Sequence, residues 1–388
     1  MFKFLHASDL HIGRTIREHS RIGEHNAFFD WLLALAGDEQ VDAILISGDV
    51  FHEKTPTLET RELLVDFFAR CIDKKLRVVM IPGNHDNEGE LAALRPLAEK
   101  GNYIRVVTGF EGADNIVEVP YGSGDLVTVG CLPYIHPHRV LTSAEGVQLT
   151  ERERLNNYRD WITNTLQWMT QTMQLRGNPS VLMLHPQLTN SPRSGSESLS
   201  IFPIPVECLP ATLKYIACGH IHKPQKIEGA LSPTYYAGSP LKLSFGEHDI
   251  KTVNIVEIEA HTQTRVIHQA VEGPRDVLRL TGTGAELVPL VEAQKGNWME
   301  IVMSDPDTVE HGVLNHLRSF PEIISWRFGS MEKTLEDIGV APVEGKREPT
   351  AEERFRGYLT YKGRPQDEQL IRLFMRLHEE ELEEGDGE

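Results

Sequence analysis

Five short apolar runs in this chain each end in an acid, an amide or a histidine. That repetition constrains the fold more than any other feature. Residues 2–8 lead into Asp9-Leu10-His11, and residues 42–47 into Gly48-Asp49. Residues 76–81 pass through Pro82 into Gly83-Asn84-His85-Asp86. Residues 181–184 lead into His185, and the last run ends in Gly219-His220-Ile221-His222. Apolar runs of this length, stopped by Gly or Pro, read as buried strands. Loops at the C-terminal ends of strands are where α/β folds assemble their chemistry. In extended backbone Asp9 and His11 share a face, so both can address one ion.

Taken alone, Gly83-Asn84-His85-Asp86 reads as a turn with a satisfied histidine; the repetition argues otherwise. Asp9, His11, Asp49, Asn84, His185, His220 and His222 offer carboxylate, imidazole and amide oxygen, the donors that suit Mn, Fe, Zn or Mg. Seven protein ligands crowd one metal. Two metals sharing a bridging carboxylate fit better, and such pairs are the usual device for cleaving phosphate esters.

The ordered set Asp-x-His, Gly-Asp, Gly-Asn-His-Asp, a lone His after a strand, and Gly-His-x-His resembles the calcineurin-like metallophosphoesterases. Gly48-Asp49-Val50-Phe51-His52, Gly219-His220-Ile221-His222-Lys223 and the stretch from Ala237 to Phe245 resemble, more narrowly, the SbcD nucleases, the nuclease subunits of SbcCD complexes. The resemblance covers the first 270 residues or so well and the rest loosely. It implies that Asp9, His11 and His222 hold one metal, that Asn84, His185 and His220 hold the other, and that Asp49 bridges. It also implies that His85 faces the scissile phosphate and pairs with His52.

The fold expected is an α/β metallophosphoesterase sandwich of two mixed sheets flanked by helices over residues 1–272. A small α/β capping domain over 273–337, a linker over 338–349 and a helical arm with an acidic tail over 350–388 follow. Helices are expected at 24–36, 57–73 (capped by Thr57), 89–100 and 148–175. Strands at 235–237, 252–259 and 265–271 are expected to complete a second sheet. His136-Pro137-His138 is read as a solvated loop rather than a metal pair, and 190–200 as a Ser-rich surface loop. The cap position matches that of a family domain that guides DNA to the metals. The arm matches one that binds the coiled coil of an SbcC-like ATPase. The resemblance also implies a homodimer of the nuclease subunit.

Composition adds limits. The 388 residues carry 57 acidic and 39 basic side chains, a net charge of -18. A DNA enzyme normally rests on a basic surface, so weak DNA affinity is expected without metal or partner. Arg17, Arg21 and Lys223 are the candidate phosphate contacts. Cys71, Cys131, Cys208 and Cys218 are scattered without a Cys-x-x-Cys pair, which suits a reducing cytoplasm rather than a disulfide framework. No apolar run reaches a membrane-spanning length of about 18 residues.

The expected activity is metal-dependent hydrolysis of DNA phosphodiesters in repair, recombination and replication. It is exonucleolytic on double-strand ends, with single-strand or hairpin endonuclease action left open. Mn is the preferred metal, with Fe, Zn and Mg open. The rivals are a phosphodiesterase or phosphatase on small nucleotides or phosphoproteins, and a DNA-end scaffold with an idle site. A small substrate needs neither cap nor arm, and an idle site has no reason to keep seven ligands.

Overall fold

The computed structural model describes residues 1–98, 101–141, 150–189, 191–194, 202–304 and 309–328. It also describes Glu352, Phe355, Arg356, Leu359, Glu368, Leu370, Ile371, Arg372 and Phe374.

The chain starts with repeated strand–helix units: β1 (Phe2–Ala7), α1 (Ile22–Asp38), β2 (Ala43–Ser47), α2 (Leu58–Asp73), β3 (Arg77–Ile81), α3 (Glu88–Ala98) and β4 (Ile104–Val106). The strands pair in parallel in that order. Thr57 caps α2 by accepting from the Thr60 N–H, as expected. The helices cover one face of the sheet, where Phe29 of α1 stacks on Phe67 of α2 at 4.3 Å.

The next segment builds a second sheet: β5 (Ile116–Tyr121), β6 (Asp125–Leu132), α4 (Pro137–Leu141), α5 (Glu151–Leu175), β7 (Ser180–Leu184), β8 (Tyr215–Cys218), β9 (Gln225–Lys226) and β10 (Thr234–Tyr236). Its order is β5-β6-β7-β8-β10-β9. Helix α5 starts later than expected because Thr150 and Glu153 form a capping box that fixes its first turn. His136-Pro137-His138 is not a loop throughout, since Pro137 opens α4, where a missing N–H costs nothing.

Strands β11 (Thr252–Ile258) and β12 (Arg265–Ala270) do not join the second sheet. They add to the first, with β11 antiparallel to β1 and β12 antiparallel to β11, giving β12-β11-β1-β2-β3-β4. Of the three late strands expected there, β10 alone completes the second sheet. Strand β11 is buried on both faces. Val253 and Ile255 pack with the outer helices, and Val256 and Ile258 with the opposite sheet. It covers the edge of β1 that would otherwise stay unpaired.

The two sheets meet face to face. Phe2, Phe4, Leu45 and Val79 of the first pack on Val129, Val181, Met183 and Tyr215 of the second. Strand β2 shows why the sequence lacks alternation: Ala43 and Leu45 face the inner core, while Ile44 and Ile46 face the helices. The expected sandwich of two mixed sheets flanked by helices is the architecture observed.

Beyond Gly273 the chain forms β13 (Val277–Gly282), α6 (Gly284–Ala293), β14 (Trp298–Met303), α7 (His311–Arg318) and β15 (Ile323–Phe328). The three strands make a separate parallel sheet with its own core of Leu287, Val291, Met299, Ile301, Met303 and Leu317. It meets the sandwich where Ile16 and Phe245 pack with Val277, Trp298 and Ile324. There Trp298 Nε1 donates to Glu24 Oε1 at 2.6 Å, and the Arg275 guanidinium lies 4.4 Å over the indole. The expected linker at 338–349 lies outside the described residues, as do most of the arm and of the loop at 190–200. Within the arm, Phe355 stacks on Phe374 at 4.1 Å, and Arg356 pairs with Glu352 and Glu368.

Candidate metal centre

The five strand ends converge. Asp9 and His11 follow β1, Asp49 follows β2, Asn84 and His85 follow β3, His185 follows β7, and His220 and His222 follow β8. The loops are tied together by backbone bonds. The Asp9 N–H donates to the Gly48 carbonyl and the His11 N–H to the Asp49 carbonyl, both at 2.9 Å. Asp9, His11, Asp49 and His220 all hold positive φ, from 45° to 96°. Left-handed backbone at a residue with a Cβ costs on the order of 1–3 kcal/mol and gathers where function demands it. Two glycines let the strand ends approach. A Cβ at Gly48 would lie 2.2 Å from His185 Nδ1, and one at Gly219 would lie 1.9 Å from the Ser47 carbonyl oxygen.

Two groups of donor atoms meet at Asp49. In the first, the ligand atoms of Asp9, His11, Asp49 and His222 all lie within 4.8 Å of one another. His11 Nε2 is 3.0 Å from His222 Nε2 and 3.5 Å from Asp49 Oδ2. In the second, Asn84 Oδ1 lies 3.2 Å from His185 Nε2 and 2.8 Å from His220 Nδ1. His185 Nε2 is 3.3 Å from the other Asp49 oxygen, Oδ1. One carboxylate thus turns an oxygen to each group.

The electrostatics suit cations. Burial pushes the His11 and His222 imidazoles well below their usual range and His220 to about 3, which keeps them neutral. Neutral imidazole is the ligating form. Burial also pushes Asp9 up to about 7, against the pull of His185 and with a push from Asp49. Burial works against the charge on Asp49, but His185 and His11 outweigh it and hold the carboxyl well below its ordinary range. His185 is opposed by burial and raised to about 9 chiefly by Asp49. His185 Nδ1–H donates to the Ser47 carbonyl at 2.7 Å, leaving Nε2 toward Asp49 and Asn84. Ligating histidines are oriented this way by a backbone acceptor. The buried His220 Nε2 has no hydrogen-bond partner. The neutral imidazoles of His11, His220 and His222, two carboxyl groups and an amide oxygen fit divalent metal ions, and His185 would give up its extra proton to join them.

His52 and His85 lie at the rim of the first group. Their rings stack at 5.5 Å, and the His85 ring lies 4.9 Å from that of His11. His85 Nδ1–H donates to the His52 carbonyl at 3.1 Å, which turns Nε2 away from that carbonyl. His52 Nδ1 is 3.4 Å from His11 Nδ1. The ligand atoms of His11, His52 and His85 also form a close triplet.

The profile of the calcineurin-like phosphoesterases matches residues 2–224. The chain is a calcineurin-like phosphoesterase. The phosphoesterase is similar to the SbcD component of the SbcCD nuclease of Bacillus subtilis (strain 168), with 28% identity over 394 residues covering 97% of each chain. It is 33% identical over 254 residues to the SbcD component of Escherichia coli (strain K12), covering 63% of this chain and 62% of that one. To the SbcD component of Rhodobacter capsulatus it is 28% identical over 311 residues, covering 75% and 74%.

Sequence reasoning left several groups of the phosphoesterase without a role. Asp86 is buried, and its carboxylate accepts from the Val50, Phe51 and Gly83 N–H groups at 2.8–3.0 Å, clamping the β2 and β3 loops together. Burial first, then Asp49, raises its pKa to about 6. Ser8 Oγ donates to Asp9 Oδ2 at 2.6 Å. The Tyr134 ring meets that of His185 edge-on at 6.4 Å. The Asp that ends Gly-Asn-His-Asp was the one visible signal among them. The three cations expected near DNA differ. Arg17 is half exposed and 3.3 Å from Glu300, and Lys223 is 3.8 Å from Asp249. Arg21 is buried and donates to the Lys242 carbonyl, so it does not face a solvent-borne phosphate.

Proposed function

We propose that this phosphoesterase is the nuclease subunit of an SbcCD-type DNA end-processing complex. The observation that carries the reading is the likeness to the Bacillus subtilis protein over 97% of both chains, which extends past the phosphoesterase domain. The two donor groups around Asp49 support it on chemical grounds.

Asp9, His11 and His222 would hold one divalent ion and Asn84, His185 and His220 the other, with Asp49 shared. Such a pair supplies Lewis acidity to the phosphoryl group when bound. Manganese suits the mixture of imidazole and carboxylate. The chain's own residues do the rest. Ser8 and the His220 N–H hold Asp9 through both oxygens. The His85 N–H holds Asp49 Oδ1 at 2.9 Å. In hydrolysis a water oxygen adds to phosphorus and gives up a proton, the P–O bond to the departing alcohol breaks, and a proton must reach that departing oxygen. We assign the delivery to His85 Nε2, with His52 stacked behind it.

Residues 273–337 form a cap, and 350–388 an arm that binds the ATPase subunit. The nuclease subunit pairs as a homodimer. Arg17 and Lys223 are the phosphate contacts retained from the sequence.

Cleavage of end-labelled linear duplex DNA by the purified chain in Mn tests the reading, beside His85→Ala and a generic aryl phosphodiester. Shortening from the ends that falls by about 10²–10⁴-fold in the variant is expected. Hydrolysis of the aryl ester with DNA untouched, even with the ATPase subunit added, would contradict it.

A further inference from the structure

We propose that Arg14 binds the phosphate next to the scissile one, so that the centre favours a polynucleotide strand over a lone phosphodiester. The inference rests on the nuclease reading and deepens it. Arg14 follows Gly13 in the loop after His11, and its N–H donates to the His11 carbonyl at 3.0 Å, closing a tight turn. Its side chain returns to the centre. NH1 lies 3.3 Å from His52 Nε2, and Nε donates to the Leu243 carbonyl at 3.4 Å. His52 in turn neighbours His11 and stacks on His85. The guanidinium therefore lies one imidazole beyond the groups assigned to the scissile phosphate.

Its charge lacks an acidic partner. Among the described residues no carboxylate comes within 4.0 Å of it. The nearby acids are engaged elsewhere. Glu24 lies 3.6 Å from Arg21, and Glu247 pairs with Lys251 at 2.5 Å while accepting from the Leu243 N–H at 3.2 Å. Arg14, Arg21 and Lys251 against Glu24 and Glu247 leave one positive charge uncompensated. Burial disfavours the charge on Arg14, with Glu247 only partly offsetting it. Withdrawing a guanidinium from water without an anion is unfavourable, and a phosphate supplies the anion. The fork has five N–H donors. Those not directed at His52 and Leu243 match two oxygens of one phosphate. A lone phosphodiester has no second phosphate to offer there.

The test is binding of a short single-stranded oligonucleotide by the full chain, without added metal, over a low-salt series. Arg14→Gln should weaken binding several-fold and lower the slope of log K against log salt by about 0.7, the share of one phosphate contact on a single strand, with the melting temperature checking the fold. Arg14→Lys keeps the charge, and should keep the slope and lose less affinity. With Mn present, Arg14→Gln should raise KM for DNA about tenfold and penalise DNA at least about fivefold more than an aryl phosphodiester. A wild-type slope in the Gln variant overturns the proposal. So does equal loss in the Lys and Gln variants, which would mean that charge is not what matters. Equal loss on DNA and the aryl ester overturns it as well, by making Arg14 a positioning residue for His52. A wild-type chain that neither binds nor cuts DNA, even with Mn and the ATPase subunit added, overturns the nuclease reading, whereas DNA cleavage indifferent to Arg14→Gln overturns this inference alone.

Discussion

Asp49 is the residue on which both halves of the centre depend, because its two oxygens face different donor groups. Asp49→Ala should lower the rate by about 10³-fold or more, as steady-state cleavage would show. Asp86 is less conspicuous but structurally as demanding. Asp86→Ala leaves three backbone N–H groups without their acceptor. It should cost about 3 kcal/mol in a denaturant titration and weaken metal binding by about 10–100-fold. The convergence of the candidate ligands was legible in the sequence because each stands just after a buried strand, so its place in space follows from its place in the chain. Asp86 was not, because its partners Val50 and Phe51 belong to another loop. Arg21 reads as a polar loop cation, and only tertiary packing turns it inward against Lys242.

At the scale of elements, strands β1, β2, β3, β7 and β8 were legible because both faces of each are buried and the run is unbroken. That same property hid where β11 goes. A strand apolar on both faces reads alike in either sheet, and nothing in residues 252–258 names β1 as its neighbour. A polar chain crosses the inner core between the sheets. His6 Nδ1 lies 3.0 Å from the Tyr215 hydroxyl, which also accepts from Asn254 Nδ2 at 3.1 Å. His6 is wholly buried, and burial lowers its pKa from 6.5 to about 3. The folded chain therefore favours neutral His6, and unfolding takes up a proton below pH 6.5. Stability should fall as pH drops from 6.5 toward about 3, with this one residue contributing about 1.4 kcal/mol per pH unit. Comparing the pH dependence of unfolding with that of His6→Phe would isolate it. An unchanged slope in the variant would assign the acid sensitivity elsewhere.

For the whole molecule, a net charge of -18 argues that DNA affinity is concentrated at the metal centre and the few cations beside it rather than spread over the surface. The third sheet is attached to the sandwich through Trp298, which bonds Glu24 within a small apolar cluster, and through the Arg17–Glu300 and Lys242–Asp276 ion pairs. Trp298→Ala should cost about 2–3 kcal/mol and loosen that junction, seen as a lower melting temperature and faster proteolysis near Gly273. The α/β character of the segment beyond 273 was visible in the sequence. The docking of that sheet onto the loop around Ile16 was not, because it depends on residues as far apart as Glu24 and Trp298, 274 positions along the chain. Strand ends from both sheets bring two donor groups together around one shared carboxylate, an arrangement built for two ions. Calorimetric titration of the metal-free chain with Mn tests it most directly. About two ions per chain, dropping to one or fewer in Asp49→Ala, is the predicted result. A single ion in the wild-type chain, or two ions retained without Asp49, would contradict it.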